Sequence, residues 1–199
     1  MRRFYRLSLR ERGNAVSEKR TRWIREVIET IALTLLVLFL IRLVVQGFRT
    51  DGYSMDPDFH NGEYVLVNKA AYLFGQPQRG DVIVFHYPLD PHEVFIKRVI
   101  GVPGDTIHTT STTVTVDGDQ LSEPYISTPF NYDNRTWKLG PNQFFVMGDN
   151  RENSLDSRIW GPLDRGYIIG RVVAAYWPVN EVGIITSYSS VFAAIRATP

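Results

Sequence analysis

Hydrophobic and polar positions along this chain fall into two regimes that change near residue 48. From Thr30 to Ile41 every position except Thr30, Ala32 and Thr34 is a large apolar residue; Arg42 interrupts, and Leu43 to Phe48 resumes. A run that is apolar on all faces predicts a helix surrounded by lipid rather than one with a single buried stripe. Thr30 to Phe48 would rise about 28 Å as a helix, enough to cross a hydrocarbon core of about 30 Å. Arg42 lies near the distal end, where a long cationic side chain can reach the interface. A cleaved secretory signal is disfavoured, because the segment ahead of the run is long and Val45-Gln46-Gly47 is a poor cleavage site.

Beyond Arg49 the pattern becomes short, β-branched and aromatic. Tyr64–Asn68, Asp81–Tyr87, Val94–Ile100, Thr112–Val116, Gln143–Met147 and Tyr167–Trp177 read as strands bounded by turn residues. Asp117-Gly118 is a strong hairpin turn signal. Only Ser190 to Thr198 has a helical look. The expected architecture is mainly β: a compact β-rich domain following one N-terminal transmembrane helix. The boundaries expected are a basic arm over 1–25, a transmembrane helix over 26–48 and the β-rich domain over 49–199.

Composition and charge sharpen this division. The 199 residues carry 22 basic and 21 acidic side chains, a net charge of +1. Residues 1–25 hold nine Lys/Arg against Glu11 and Glu18, a net of +7, and the rest of the chain is −6. A basic arm directly before a membrane span stays cytoplasmic by the positive-inside rule, so residues 49–199 face outward. The arm's charge then needs no nucleic-acid partner. The chain has no cysteine, which excludes disulfides, a thiolate nucleophile and a cysteine zinc site.

Three segments could carry chemistry. Ser54 lies in a turn-forming stretch, Asp51 to Pro57, just after the span, and a hydroxyl there needs a base to become a nucleophile. No Gly-x-Ser-x-Gly is present. His60, His86, His92 and His108 make no metal-ligand spacing. Lys97 sits in the otherwise apolar strand Val94–Ile100, next to Arg98. Alternation puts one of these two cations on a side with apolar neighbours. Two readings remain open: an edge strand whose cations reach water, or a desolvated lysine. A desolvated lysine has a lowered pKa and could accept a proton as a general base. The third segment, Gly148 to Arg158, packs turn formers and opposite charges after an apolar strand. It is either a polar loop pinned by an Asp156–Arg158 pair or a loop presenting a hydroxyl or amide to a site.

Together these segments resemble the bacterial type I signal peptidases, a membrane-bound Ser/Lys endopeptidase family. Ser54-Met55-x-Pro57 is similar to the family's nucleophile box, and Tyr64–Lys69 to the strand box after it. Arg79–Phe85 with Ile96–Asp105 is similar to the lysine box, and Gly148–Arg158 to the last box. The resemblance runs from about residue 23 to 177.

The resemblance implies that Ser54 attacks the scissile carbonyl, Lys97 takes and returns its proton, and Ser154 orients the lysine by hydrogen bonding. Asp156 and Arg158 would support the site. The Ser54 main-chain N–H would help hold the oxyanion, whereas Gly52 stands where some members carry a hydroxyl donor. It also implies a reduced accessory region, a small hairpin insertion around 106–145. The reaction would be removal of signal peptides from exported preproteins after a small-x-small (Ala-x-Ala-like) motif. Met55, Tyr64, Val65, Val82, Ile83 and Val84 are the expected pocket contributors. Trp137, Trp160 and Trp177 are candidates for seating the domain on the membrane. No cofactor, no metal and no nucleic acid are expected. The expected partners are preprotein signal peptides, the lipid bilayer and the secretion translocon. The expected location is the cytoplasmic membrane, single-pass, with the catalytic domain outside. The competing readings are a self-cleaving Ser/Lys peptidase and a membrane-anchored β-rich binding module without catalysis.

Overall fold

The computed structural model describes residues 2–126, 133–193 and 195, with side chains described from Arg22 onward. The chain divides into two units, 1–43 and 44–199. The first is essentially one helix, α1 (Arg2–Val44). Within it Arg22–Val44 is long and apolar enough to cross a membrane, with a mean hydropathy of 2.5 over its most apolar stretch. The side chains of the basic arm before Arg22 lie outside the described residues.

The helix ends four residues earlier than the apolar run suggests. Val45–Arg49 is strand β1, not the last turn of a spanning helix. It pairs antiparallel with β2 (Tyr64–Asn68), Val45 opposite Asn68 and Arg49 opposite Tyr64. Val45-Gln-Gly-Phe-Arg is a poor helix former, and the β2 edge supplies the backbone partners that a frayed helix end lacks.

The second unit contains β3 (Val82–Tyr87), β4 (Asp90–Gly101), β5 (Thr106–Thr109), β6 (Val114–Val116), β7 (Asp119–Gln120), β8 (Arg135–Lys138) and β9 (Gln143–Met147). Helix α2 (Ser157–Trp160), β10 (Leu163–Asp164), β11 (Ile168–Trp177), β12 (Gly183–Ile184) and α3 (Ser189–Ala193) complete it. The larger sheet runs β1-β2-β11-β3-β4-β9-β10, with β12 paired to β11. The smaller one runs β7-β6-β5-β8. The smaller sheet therefore lies within 106–138, and β9 belongs to the larger sheet, where it pairs with β4. The expected helix at Ser190–Thr198 is Ser189–Ala193, and 196–199 lie outside the described residues.

Strand β3 reads Val-Ile-Val-Phe without alternation because both its faces are covered. Val82 and Val84 pack with Met55, Phe59, Val65, Val67 and Val172. Ile83 and Phe85 pack on the other face with Val99, Phe144, Val146 and Leu163. A third cluster joins the two sheets through Ile100, Ile107, Val116, Tyr125, Phe145 and Met147, and the tail residue Phe192 enters it.

Gly80, in the turn before β3, marks where the tail packs against the sheet. Its φ is +91°, and a Cβ there would collide with the Ser187 carbonyl and press on the Phe192 ring. Glycine alone satisfies both demands.

Candidate active site

The site is assembled from three stretches that are distant in sequence. Ser54 sits in a turn whose next residue, Met55, is buried. The Phe59 N–H closes the turn on the Met55 carbonyl at 3.0 Å, and Phe59 is buried too. Two apolar anchors thus fix the loop while Ser54 stays partly exposed. The Asn150 N–H holds the Ser54 carbonyl at 3.1 Å.

Lys97 stands on β4 opposite Ile83 of β3. Pairing of β4 with β9 begins only at Arg98, so β4 up to Lys97 has β3 on one side and, among the described residues, no strand on the other. The lysine is 4% exposed. Its Nζ lies 2.7 Å from Ser54 Oγ and donates to the Ile96 carbonyl at 2.8 Å. Burial lowers its pKa to about 8, against the raising influence of the Asp156 and Asp149 carboxylates. About one tenth of the amine is therefore neutral at pH 7, and a neutral amine within hydrogen-bond reach of a hydroxyl can take its proton.

Arg98, the neighbouring cation, is fully buried. Its guanidinium donates to both oxygens of Asp149, at 2.9 and 2.7 Å, and to Asp58 at 2.7 Å. Both cations of this strand are thus inside. One is matched by carboxylates; the other has no carboxylate within ion-pair distance among the described residues.

The third stretch, 148–158, is organised by the buried Asp156. Its carboxylate accepts from the Gly148 N–H at 3.1 Å and from Arg158 Nε and Nη2 at 2.7 and 2.6 Å. It also caps α2 through the Arg158 N–H. The hydroxyl of Ser154 donates to the same carboxylate at 2.7 Å. This differs from the expected Ser154–Lys97 hydrogen bond, which does not form. The Ser154 proton goes to the carboxylate two residues away, and the Lys97 amine is placed instead against Ser54 Oγ and the Ile96 carbonyl. Ser154 nevertheless closes on the nucleophile loop: a Cβ at Gly148 would collide with both the Ser154 hydroxyl and the Ser54 carbonyl.

These stretches border a cleft of about 880 Å³, lined on one side by 48–54 and on the other by 93–97 and 152–155. Val65 and Val84 form part of its wall. Four other expected pocket residues do not. Met55, Val82 and Ile83 are spent on the core, Ile83 on the far face of the sheet. Tyr64 points away from Val65 and lies against Tyr176, their rings 6.0 Å apart. Among the described backbone groups no acceptor takes the Ser54 N–H, whereas the Gly52 N–H is held by Asn61 Oδ1 at 2.9 Å.

The pattern of the sequence did not point to Phe48–Asp51, Tyr53, Glu93–Ile96 or Ile159, all of which border the cleft. Phe48 was hidden at the end of the apolar run, and 49–53 lie in the polar link between that run and the serine. Glu93–Ile96 is legible only once β4 is known to have a free edge. Trp177 is half exposed, whereas Trp137 and Trp160 are partly buried against core clusters. A grouping of ligating side chains, His60, Glu63 and Glu181, lies outside the cleft lining.

Comparison with known proteins places this geometry in context. A family model described as signal peptidase, peptidase S26, matches residues 21–177. The chain is 41% identical over 167 residues to a signal peptidase I of Leptolyngbya laminosa, covering 79% of this chain and 82% of that protein. It is 37% identical over 177 residues to a probable signal peptidase I-1 of Synechocystis, covering 85% and 90% respectively. A signal peptidase IB of Staphylococcus aureus is 34% identical over 177 residues, covering 79% and 92%.

Proposed function

Since the chain belongs to the signal peptidase family of S26 peptidases, we propose that Ser54 is its nucleophile and Lys97 its general base. The chain is a membrane-bound serine endopeptidase that removes signal peptides from preproteins. The observation that carries the dyad assignment is the 2.7 Å separation of Lys97 Nζ from Ser54 Oγ in a buried setting.

In this reading the neutral amine accepts the Ser54 proton as the oxygen attacks the scissile carbonyl. The N–H bond given to the Ile96 carbonyl fixes the amine so that its lone pair can face the hydroxyl. The Ser54 N–H, without another partner among the described groups, is a donor for the developing oxyanion. The resulting ammonium returns its proton to the leaving amine, which departs as the new N-terminus of the mature protein. An acyl-enzyme on Ser54 remains. Lys97, neutral again, then activates water for deacylation, and the serine is regenerated.

The substrate is an extended peptide. It lies between the free edges of β1 and β4, with main-chain hydrogen bonds on either side. Val65 and Val84 bound the space for the residue before the scissile bond, which supports cleavage after a small-x-small motif. The basic arm supports an orientation with the N-terminus in the cytoplasm and the second unit outside, in the cytoplasmic membrane. The secretion translocon, which delivers such precursors, is the further partner in this reading. The domain division is α1 as the anchor and 45–199 as the catalytic part, with 106–138 inserted.

The test is incubation of the detergent-solubilised chain with a signal-bearing precursor, mapping the cut by mass. One cut after Ala-x-Ala is expected, lost when the residue before the bond is made Phe. No cut by folded protein would favour the non-catalytic binding module. Ser154→Ala removes one of the donors to Asp156 and is expected to lower kcat about tenfold. A wild-type rate would remove Ser154 from the machinery.

A further inference from the structure

The tail after β12 does more than fill the core. The Thr186 carbonyl accepts a hydrogen bond from Arg98 Nη1 at 3.0 Å. Tyr188 has a φ of +48°, a conformation rarely adopted by a bulky L-residue and one held in place only by its surroundings. That backbone places the Tyr188 ring 5.0 Å from the Arg98 guanidinium carbon, beside the Tyr125 ring, which lies 4.7 Å from the same carbon and 5.1 Å from Tyr188. The Tyr188 hydroxyl donates to Asp58 Oδ1 at 3.1 Å, and Arg98 Nη2 holds the other oxygen, Oδ2. Downstream, the buried Phe192 fastens the tail into the core.

Asp58 ends the turn that carries Ser54, Arg98 adjoins Lys97, and Asp149 opens the stretch that carries Ser154. Arg98 therefore ties all three parts of the site together, and Tyr188 completes the grip on the nucleophile side. We propose that the segment 186–192 is a strap that positions the nucleophile, with Tyr188 as the positioning residue acting through Asp58 and Arg98. Its physical basis is lever-like. Asp58 is four residues from Ser54, and a loop held by two donors on its carboxylate has less freedom than one held by a single donor. The Ser54–Lys97 distance must be kept near 2.7 Å for proton transfer, and misplacement by about 1 Å can cost roughly 100-fold in rate.

This inference rests on the Ser54–Lys97 assignment, and the experiment separates the two. Full-length Tyr188→Phe keeps the ring over Arg98 and removes only the hydroxyl. It is expected to lower kcat, per folded molecule, about 3- to 10-fold, with KM within about twofold and Tm near the parent value. Added to Asp58→Ala, which deletes the acceptor, Tyr188→Phe is expected to cause no further loss. Ser111→Ala, exposed in the turn between β5 and β6 and outside the strap, is the unchanged control. A wild-type kcat per folded molecule in Tyr188→Phe, or the same fractional loss on the Asp58→Ala background, would overturn the strap. Activity retained by Ser54→Ala would instead overturn the dyad and leave the strap without a function to serve.

Discussion

Lys97→Met is expected to abolish preprotein cleavage while the protein stays folded. Methionine keeps an unbranched chain of similar length at a site that is already 4% exposed, so packing changes little. It also removes a desolvated amine whose burial is unfavourable in its charged form. What is lost is the proton acceptor, which in general base catalysis contributes roughly 10²- to 10⁴-fold. Lys97→Arg is expected to be as inactive, because a guanidinium does not give up its proton in a protein. Activity retained by the arginine variant in a precursor-cleavage assay would refute a lysine base. The pH profile follows with a definite sign. The active form carries a neutral amine, so kcat/KM should rise with pH through about 8, the value to which burial lowers Lys97, and fall below it. A profile flat from pH 6 to 9 would count against this assignment.

Arg98→Met is expected to produce the largest loss of stability. The guanidinium is fully buried and bonds to both oxygens of Asp149, itself fully buried as a side chain, and to Asp58. Removing the cation leaves an uncompensated carboxylate inside the protein, which costs about 3–5 kcal/mol. It also releases the Gly80 and Thr186 carbonyls that Arg98 satisfies at 3.0 Å each. Chemical denaturation should show a lower midpoint with an unchanged slope. A midpoint within experimental error of the parent would mean that Arg98 does not hold these segments together. Restoring an apolar match with Asp149→Leu in the same chain should recover part of the loss, because the penalty lies in the unpaired charge rather than in the missing bond.

The two adjacent cations of β4 show how unevenly a sequence exposes its chemistry. Alternation flagged that one of them had to face apolar neighbours, and both turn out to be buried. They differ in partners: Asp149 and Asp58 for Arg98, a neutral hydroxyl for Lys97. Those partners lie 51, 40 and 43 residues away, and strand periodicity carries no information at that range. Ser154 lines the cleft, but its bond to Asp156 was not legible, because the partner of a hydroxyl is chosen only in the folded loop. Met55 and Ile83 looked like pocket residues by position. They were core residues because the sheet is covered on both faces, which single-strand alternation cannot reveal.

The sequence by itself determined the apolar anchor, the charge division around it, most of the strands and the order of the motif boxes. These depend on hydrophobic periodicity, turn-forming residues and local spacing, all of which act over a few residues. The end of α1 at Val44, the free edges of β1 and β4, and the tail laid over Arg98 were decided only in the tertiary structure. So was the contact of Lys97 with Ser54. Each requires a particular strand pairing or a close approach such as that at Gly80. Backbone pairing and burial act between segments that the chain brings together only on folding.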